Sequence, residues 1–379
     1  MVTGDVVPVI RYGQRWFLKR NPTKEMTDLE LRIYEALRSD NTIRSMNIVI
    51  PEVEQEDDTS FLVMDAGTTF ADILNSPAHD RLANDHVLYR SIEVRAAVNA
   101  VVNQILTVDD KVYLAVTQRK ALLQKAQQLS SEVTEADVTA HLWAYRMMNA
   151  LGISDHKFRD IYTEVIGKRI DAMLPKYGMY CTDNFSRNIV VGSDGSIIPF
   201  DFNSIRYGLR QFDDASIAGL YIYAGELAVN AEQEDRPIVM RKLQEVQGLS
   251  ADEDYDHAFF IANIHANGII AGYRTKEIIE RANGLRKLTR LNTRDEAEEY
   301  LQFKRAHDEI EYYQSAVVAS LWGSNPIVTL GYELDKLRYI VSTISSHTFG
   351  KRVCVLSSLP EHVRGVGEVY SQLRAEQIR

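Results

Sequence analysis

Residues 180–214 decide the fold, and they read YCTDNFSRNIVVGSDGSIIPFDFNSIRYGLRQFDD. Two β-rich runs lie within this stretch, IVV at 189–191 and SIIPF at 196–200. A polar turn centred on a glycine, at 193–195, separates the two runs. Short β-rich runs joined by such a turn predict a β-hairpin.

Three oxygen-bearing side chains flank this predicted hairpin. Asp183 and Asn188 lie on the segment that enters the first strand, and Asp201 follows the second strand. Because both ends of a hairpin meet at its open edge, we expect the three side chains to converge there. Carboxylate and amide oxygens suit a hard cation such as Mg²⁺ with a phosphate on its far side. Turn capping by Asp183 and Asn188 is the simpler structural alternative.

Composition indicates a globular protein with a substantial core. The chain has 379 residues, of which 45% are hydrophobic and 25% charged. This length predicts two or three sub-domains. The formal net charge of −10 argues against a broad nucleic-acid surface. A deep nucleotide pocket is still compatible with this charge, because it needs only a few local cations.

Targeting signals are not visible in the sequence. There is no apolar run near the ~20 residues that cross a bilayer, and no signal-peptide pattern follows Met1. The two cysteines, Cys181 and Cys354, form neither a disulfide framework nor a metal-ligand spacing. We therefore expect a cytoplasmic protein with no membrane partner.

The N-terminal residues predict an antiparallel pair of strands. Residues 5–20 contain two β-rich runs around a turn at residues 12–14. In the second run, RWFLK, alternation places Phe17 and Lys19 on one face. Lys19 is either a solvated strand-end lysine or a lysine drawn inward to an anionic partner.

A helix is predicted next, from about Asp28 to Arg38, with Thr27 or Asp28 as its cap. Glu30 lies in its first turn. It is either a favourable charge near the helix N-terminus or the partner of Lys19. Residues 48–53 and 60–65 then supply two more β-rich runs.

The remainder of the chain is predicted to be mainly helical apart from the hairpin. Apolar residues recur at three- and four-residue spacing from Arg90 to Tyr177 and again after the hairpin. We predict an α+β fold with a small β-rich region at 1–67, a helical core with the hairpin at 68–225, and a helical substrate or extension region at 226–379.

The order of these parts resembles the aminoglycoside phosphotransferase and choline kinase branch of the protein-kinase-like fold. The catalytic-loop motif of that family, H-x-D-x-x-x-x-N, corresponds to CTDNFSRN at 181–188, and its metal-binding motif to FDFN at 200–203. Gly208 and Asp213 match a downstream Gly and Asp that brace the catalytic loop. The resemblance covers residues 5–225 and implies a bilobal fold with a small antiparallel lobe and a large helical lobe.

The resemblance also implies a role for each site residue. Asp183 would orient the substrate hydroxyl as the catalytic residue, and Asn188 with Asp201 would hold Mg²⁺. Lys19 would neutralise the α- and β-phosphates of ATP, and Glu30 would hold Lys19 in place. The backbone groups of three further residues would bind adenine: Met64, Asp65 and Ala66.

Two features depart from the family pattern. Cys181 stands where the family has a histidine, and a thiol cannot donate comparable hydrogen bonds. Only about 18 residues precede Lys19, and they contain no G-x-G-x-x-G. We therefore expect a shortened small lobe whose phosphate-covering loop is missing, reduced, or replaced by the N-terminal turn around Gly4 or Gly13.

These patterns predict an ATP- and Mg²⁺-dependent phosphotransferase that acts on a hydroxyl of a small molecule, of aminoglycoside, amino alcohol or sugar type. Its partners would be a nucleotide and that acceptor, with no nucleic acid. A catalytically degenerate kinase-like binding protein is the alternative, and a protein or lipid kinase is a third. The acidic residues at 232–235 and 252–254 are either solvated or face a cationic substrate.

Overall fold

The structure of the protein is a computed structural model of the chain. It describes residues 6–67, 69, 81–182, 188–192, 196–202, 204–216, 253–288, 293–322 and 331–364. Asp183, the hairpin turn at 193–195 and the acidic residues 232–235 lie outside the described residues. Among the described residues, no helix is long and apolar enough to cross a membrane.

A four-stranded antiparallel sheet forms the N-terminal part of the fold. Its strands lie side by side in the order β1-β2-β4-β3. Their bounds are β1 Val6–Arg11, β2 Gln14–Arg20, β3 Val53–Gln55 and β4 Ser60–Met64. The central strands β2 and β4 carry buried apolar residues of the sheet, including Trp16, Phe61 and Leu62.

The β1–β2 connection is the predicted hairpin. Its two loop residues, Tyr12 and Gly13, have φ of 53° and 76°. Positive φ at both loop residues gives a tight turn whose twist matches that of the two strands. Gly13 fits because a residue without a Cβ adopts this conformation without strain.

Helix α1 begins earlier than the sequence predicts. It runs over Lys24–Ser39, and the side chain of its N-cap, Thr23, accepts a hydrogen bond from the amide of Met26. The prediction that Thr27 or Asp28 caps the helix was wrong. Thr27 instead lies one turn into the helix and is fully buried. Its hydroxyl accepts a hydrogen bond from the side-chain amide of Asn21 at 3.3 Å. A short helix, α2 Asn41–Ser45, follows.

Two long helices and two small strand pairs complete the first compact unit, which contains the described residues up to 121 and those of 176–216. The helices are α3 Arg81–Ile105 and α4 Val108–Leu129, the latter extending beyond residue 121. The strand pairs are β5 Gly178–Cys181 with β8 Arg206–Leu209, and β6 Ile189–Val191 with β7 Ile197–Pro199. The β6–β7 pair is the hairpin predicted from the opening stretch, antiparallel with Ile189 opposite Pro199.

The second compact unit contains the described residues of 122–175 and of 253–364, and its elements are all helical. Its helices are α5 Glu135–Ala140, α6 Leu142–Leu151, α7 His156–Tyr162, α8 Lys168–Tyr177, α9 Glu253–Ala262, α10 Gly268–Leu285, α11 Arg294–Trp322 and α12 Leu334–Ser357. Wider π-helical turns, Thr163–Gly167 and Asn263–Asn267, join α7 to α8 and α9 to α10.

The predicted fold class is confirmed. A small antiparallel sheet with one helix against it precedes a chain that is mainly helical and carries the β6–β7 hairpin. This is the arrangement of parts that the resemblance to the protein-kinase-like fold implies.

Candidate active site

Lys19 lies in the middle of the N-terminal sheet with its ammonium group buried. It sits on β2 opposite Phe61 of β4, and its side chain is 5% exposed. Phe17, two residues earlier, lies opposite Val63, so alternation places Phe17 and Lys19 on one face of the strand. The Lys19 Nζ lies 2.6 Å from Oε1 of Glu30 and also contacts Oδ1 of Asp201. Lys19 is therefore an inward-facing lysine with two anionic partners.

The Glu30 carboxylate is fully buried on α1 and accepts three hydrogen bonds. Its donors are the Lys19 ammonium, the Asn21 side-chain amide at 3.2 Å and the backbone N–H of Phe202 at 3.0 Å. Burial raises the pKa of Glu30, and the charge of Lys19 opposes this shift. Glu30 thus connects β2 to the strand end that carries Asp201.

The net charge around Lys19 keeps it protonated. Burial lowers the pKa of Lys19, but the charges of Glu30 and Asp201 outweigh that effect, so the pKa lies above its ordinary value. A lysine held charged and directed at the Asp201 carboxylate has the position and the charge needed to contact a phosphate.

Asp201 adopts a strained backbone conformation at the end of the β6–β7 hairpin. Its φ is +66°, in the left-handed region that few non-glycine residues occupy. Two hydrogen bonds from consecutive amides fix this conformation: Asp201 N–H donates to the Tyr34 hydroxyl at 3.3 Å, and Phe202 N–H to Glu30. The Tyr34 ring also packs edge-on against Phe202, with ring centroids 4.8 Å apart. Strain that the surroundings enforce in this way is common at functional sites.

The hairpin register brings Asn188 to the same end as Asp201. The Asn188 carbonyl accepts a hydrogen bond from the amide of Phe200, the residue before Asp201, at 3.0 Å. Asn188 and Asp201 thus lie at one end of the hairpin, and their side chains, an amide and a carboxylate, are of the types that Mg²⁺ takes alongside phosphate oxygens. This donor set fits Mg²⁺. Asp183, the predicted catalytic residue, lies outside the described residues.

The predicted adenine-binding residues lie at the end of β4. The amide of Met64 donates to the Glu52 carbonyl and the amide of Asp65 to the Arg15 carbonyl, each at 3.0 Å. Among the described residues, the N–H of Ala66 has no hydrogen-bond partner. The amides of Met64 and Asp65 are therefore already paired with backbone carbonyls.

Strand β5 leads directly to the predicted catalytic loop. Cys181, in place of the family histidine, is buried, and burial raises the pKa of its thiol well above the ordinary value. Asp213, the predicted brace of the loop, accepts a hydrogen bond from the side-chain amide of Asn99 at 3.1 Å. The oxygen of the same amide accepts from Thr182, the residue before Asp183. The link from Asp213 to the loop therefore passes through Asn99.

Sequence analysis missed three residues that hold this site together: Asn21, Tyr34 and Asn99. Asn21 lies in a polar loop, where nothing distinguishes a buried asparagine from a solvated one. Tyr34 follows Glu30 by four residues, so helical spacing alone could have placed both on one face. Asn99 is a polar residue within the apolar run of α3, which is an unusual position and therefore a usable signal.

Comparisons with known proteins find solved structures that are similar to this chain at low sequence identity. No family model and no curated protein sequence matches it. An aminoglycoside phosphotransferase from Alicyclobacillus acidocaldarius is 10% identical with a TM-score of 0.39, covering 85% of this chain and 91% of its own. An AMP-bound spectinomycin phosphotransferase is 15% identical with a TM-score of 0.42, covering 82% and 92%.

An ethanolamine kinase from Plasmodium vivax is 12% identical with a TM-score of 0.44, covering 86% of this chain and 82% of its own. These three neighbours are of the kind that the sequence resembles.

Proposed function

We propose that the protein is an ATP- and Mg²⁺-dependent phosphotransferase that moves the γ-phosphate to a hydroxyl group of a small molecule. The observation that carries this proposal is the Lys19 ammonium, buried between the carboxylates of Glu30 and Asp201. Burying a lysine with two carboxylates carries a desolvation cost, so its retention here is best explained by a role that needs its charge. Charge neutralisation at a phosphate is such a role.

Each described site residue has a separate role in phosphoryl transfer. Lys19 contacts the α- and β-phosphates, while Glu30 fixes the position of its ammonium. The N–H of Ala66 donates to the nucleotide base. Asn188 and Asp201 hold the metal, which when bound would neutralise charge on the phosphate oxygens.

The transfer itself makes one bond and breaks one bond. The acceptor oxygen bonds to the γ-phosphorus, and the bond from that phosphorus to the β–γ bridging oxygen breaks. The acceptor hydroxyl loses its proton, which Asp183 accepts or directs to solvent. Catalysis of this kind depends chiefly on position and charge, which are the two properties that the site supplies.

A two-stage experiment tests the proposal. Thermal unfolding is first measured with ATP and Mg²⁺, together and separately. At an ATP concentration about 100 times its dissociation constant, binding stabilises the native state by ~2.7 kcal/mol. Transfer of labelled γ-phosphate is then screened against amino alcohols, sugars, aminoglycosides and nucleosides.

Matched variants identify the site. We expect Asp201→Asn and Lys19→Met to lose the stabilisation by ATP with Mg²⁺. Asp58→Asn and Lys24→Met change an exposed ion pair of the same two residue types and should keep it. If wild-type protein shows no nucleotide effect at millimolar ATP, the proposal is wrong.

A kinase-like binding protein without catalysis is the second candidate, and Cys181 favours it. The buried thiol replaces a histidine that supports the catalytic loop in the family that the sequence resembles. Such a protein would bind ATP without transferring phosphate to any acceptor, and Asp183→Ala would leave its biological activity intact. A loss of phosphate transfer in Asp183→Ala would instead support the phosphotransferase.

A further inference from the structure

Among the described residues, strand β5 has a strand partner on one edge only, and side chains of α3 contact the other edge. β5 pairs with β8 in a two-stranded antiparallel sheet. An unpaired strand edge leaves backbone donors and acceptors that must find partners when buried. The position is notable because β5 ends two residues before Asp183.

Asn103 of α3 occupies that edge as a peptide group would. Its Oδ1 accepts from the N–H of Tyr180 at 2.9 Å, and its Nδ2 donates to the carbonyl of Tyr180 at 2.7 Å. Tyr180 lies opposite Tyr207 of β8. In an antiparallel pair only alternate residues exchange hydrogen bonds with the neighbouring strand. The groups of Tyr180 therefore point away from β8, and the asparagine amide satisfies both of them.

Asn99, one helical turn before Asn103, continues the same row to the next outward-facing residue of the chain. Its Oδ1 accepts from the backbone N–H of Thr182 at 3.0 Å and from the Thr182 hydroxyl at 3.1 Å. Its Nδ2 donates to the carboxylate of Asp213 at 3.1 Å. Asn99 and Thr182 are 4% and 1% exposed, so water does not compete for these bonds.

Arg95, a further turn back along α3, completes the row. Its guanidinium donates to the backbone carbonyl of Asp213 at 3.0 Å. Three polar side chains at four-residue spacing thus lie on one face of a helix that is otherwise mainly apolar there. Asn103 binds Tyr180 of β5 and Asn99 binds Thr182. Arg95 binds the backbone of Asp213, whose carboxylate accepts from Asn99.

We propose that Asn99 and Asn103 are positioning residues of the phosphotransferase, acting as a substitute strand that fixes the approach to Asp183. This inference rests on the proposed function. Consecutive Cα atoms are ~3.8 Å apart, so fixing the Thr182 amide limits where the next residue can lie. Because a displacement of about 1 Å at a reacting group can lower the rate 10²-fold, the two amides act on kcat.

The test compares kcat, KM and amide hydrogen exchange in variants of α3. We expect Asn99→Leu, which keeps the branching and the number of heavy atoms of the side chain, to lower kcat by about 10²-fold with the KM for ATP unchanged, since only positioning is lost. Exchange of the Thr182 amide should rise in parallel. Val102→Ala removes a fully buried apolar group from the same helix and serves as the stability control, with kcat retained.

Exchanging the amide of Asn99 with the carboxylate of Asp213 tests the hydrogen bonds that run from Asp213 through Asn99 to Thr182. Asn99→Asp alone sets two carboxylates against each other and should lower kcat. The double variant Asn99→Asp/Asp213→Asn restores one carboxylate and one amide, with the acceptor for Thr182 kept, and should recover most of the loss. This pair keeps the inference testable if Asn99→Leu does not fold.

The outcomes separate the inference from the proposed function. A wild type that neither binds ATP nor transfers phosphate overturns both. A wild type that transfers phosphate, with wild-type kcat in Asn99→Leu or no recovery in the double variant, overturns the inference alone.

Discussion

At the residue scale, the Lys19–Glu30 contact determines how the site responds to substitution and pH. Glu30 is fully buried, so its carboxylate is stable there only with its three hydrogen-bond donors, one of which, the Lys19 ammonium, supplies the opposite charge. Breaking a buried pair by removing one partner is far more costly than removing both, because one charge remains without compensation.

We expect Lys19→Met to destabilise the protein by about 3–5 kcal/mol at neutral pH and by less in acid. Burial holds the pKa of Glu30 above its unfolded value, so the native state binds its proton more tightly than the unfolded state. Stability therefore falls as pH rises from the ordinary carboxylate range through the raised pKa. Without the Lys19 charge, the pKa of Glu30 rises further, so this pH dependence of stability becomes larger. Urea unfolding of Lys19→Met at pH 5 and pH 8 measures the difference in the free energy of unfolding.

The control for this prediction removes the titrating group. The double variant Lys19→Met/Glu30→Gln should show much less pH dependence, and the exposed Lys24→Met should resemble wild type at both pH values. Equal destabilisation of Lys19→Met at pH 5 and pH 8 would contradict the proposed cause.

At the scale of elements, helices α6 and α10 of the second unit approach each other at a glycine. A Cβ added at Gly272 would lie 2.7 Å from both the carbonyl carbon and the carbonyl oxygen of Ala150. These are backbone atoms and cannot rotate away. We expect Gly272→Ala to force the helices apart and to cost about 1–3 kcal/mol, measured by chemical unfolding.

The same helix offers a matched substitution. A Cβ at Gly284 would meet nothing within 4 Å. Gly284→Ala should therefore be neutral or stabilise the protein by up to ~1 kcal/mol, because alanine has the higher helix propensity. If both variants behaved alike, close packing at Gly272 would not be the cause.

At the scale of the whole molecule, the described site residues all belong to the first compact unit. They are Lys19, Glu30, Met64, Asp65, Ala66, Asn188 and Asp201. Nucleotide contacts should thus be confined to segments of that unit, while α10 and α11 belong to the other unit and carry none of these residues.

We expect ATP with Mg²⁺ to slow amide hydrogen exchange in β2, β4 and residues 196–202, and to leave α10 and α11 nearly unchanged. Binding slows exchange where it lowers the population of locally opened states. Asp201→Asn is the control and should show no change with nucleotide. Protection centred on α10 and α11 instead would place the nucleotide away from the proposed site.

The sequence by itself determined the local elements and the chemistry of the site residues. Alternation in RWFLK, the Tyr12-Gly13 turn and the hairpin runs at 189–191 and 196–200 each depend on residues close together in the chain, so their patterns predict structure directly. The start of α1 was missed because Thr23 and Thr27 offer equal capping chemistry, and burial of Thr27 decides between them.

Only the tertiary structure decided which of these residues meet. Lys19 and Asp201 are 182 positions apart, and the sequence could not choose between an inward and a solvated Lys19. A positioning role for the side-chain amides of Asn99 and Asn103 could be inferred only from their contacts with Thr182 and with the edge of β5. Hydrogen bonds between distant segments depend on how elements pack, and packing is a property of the folded chain that local pattern does not encode.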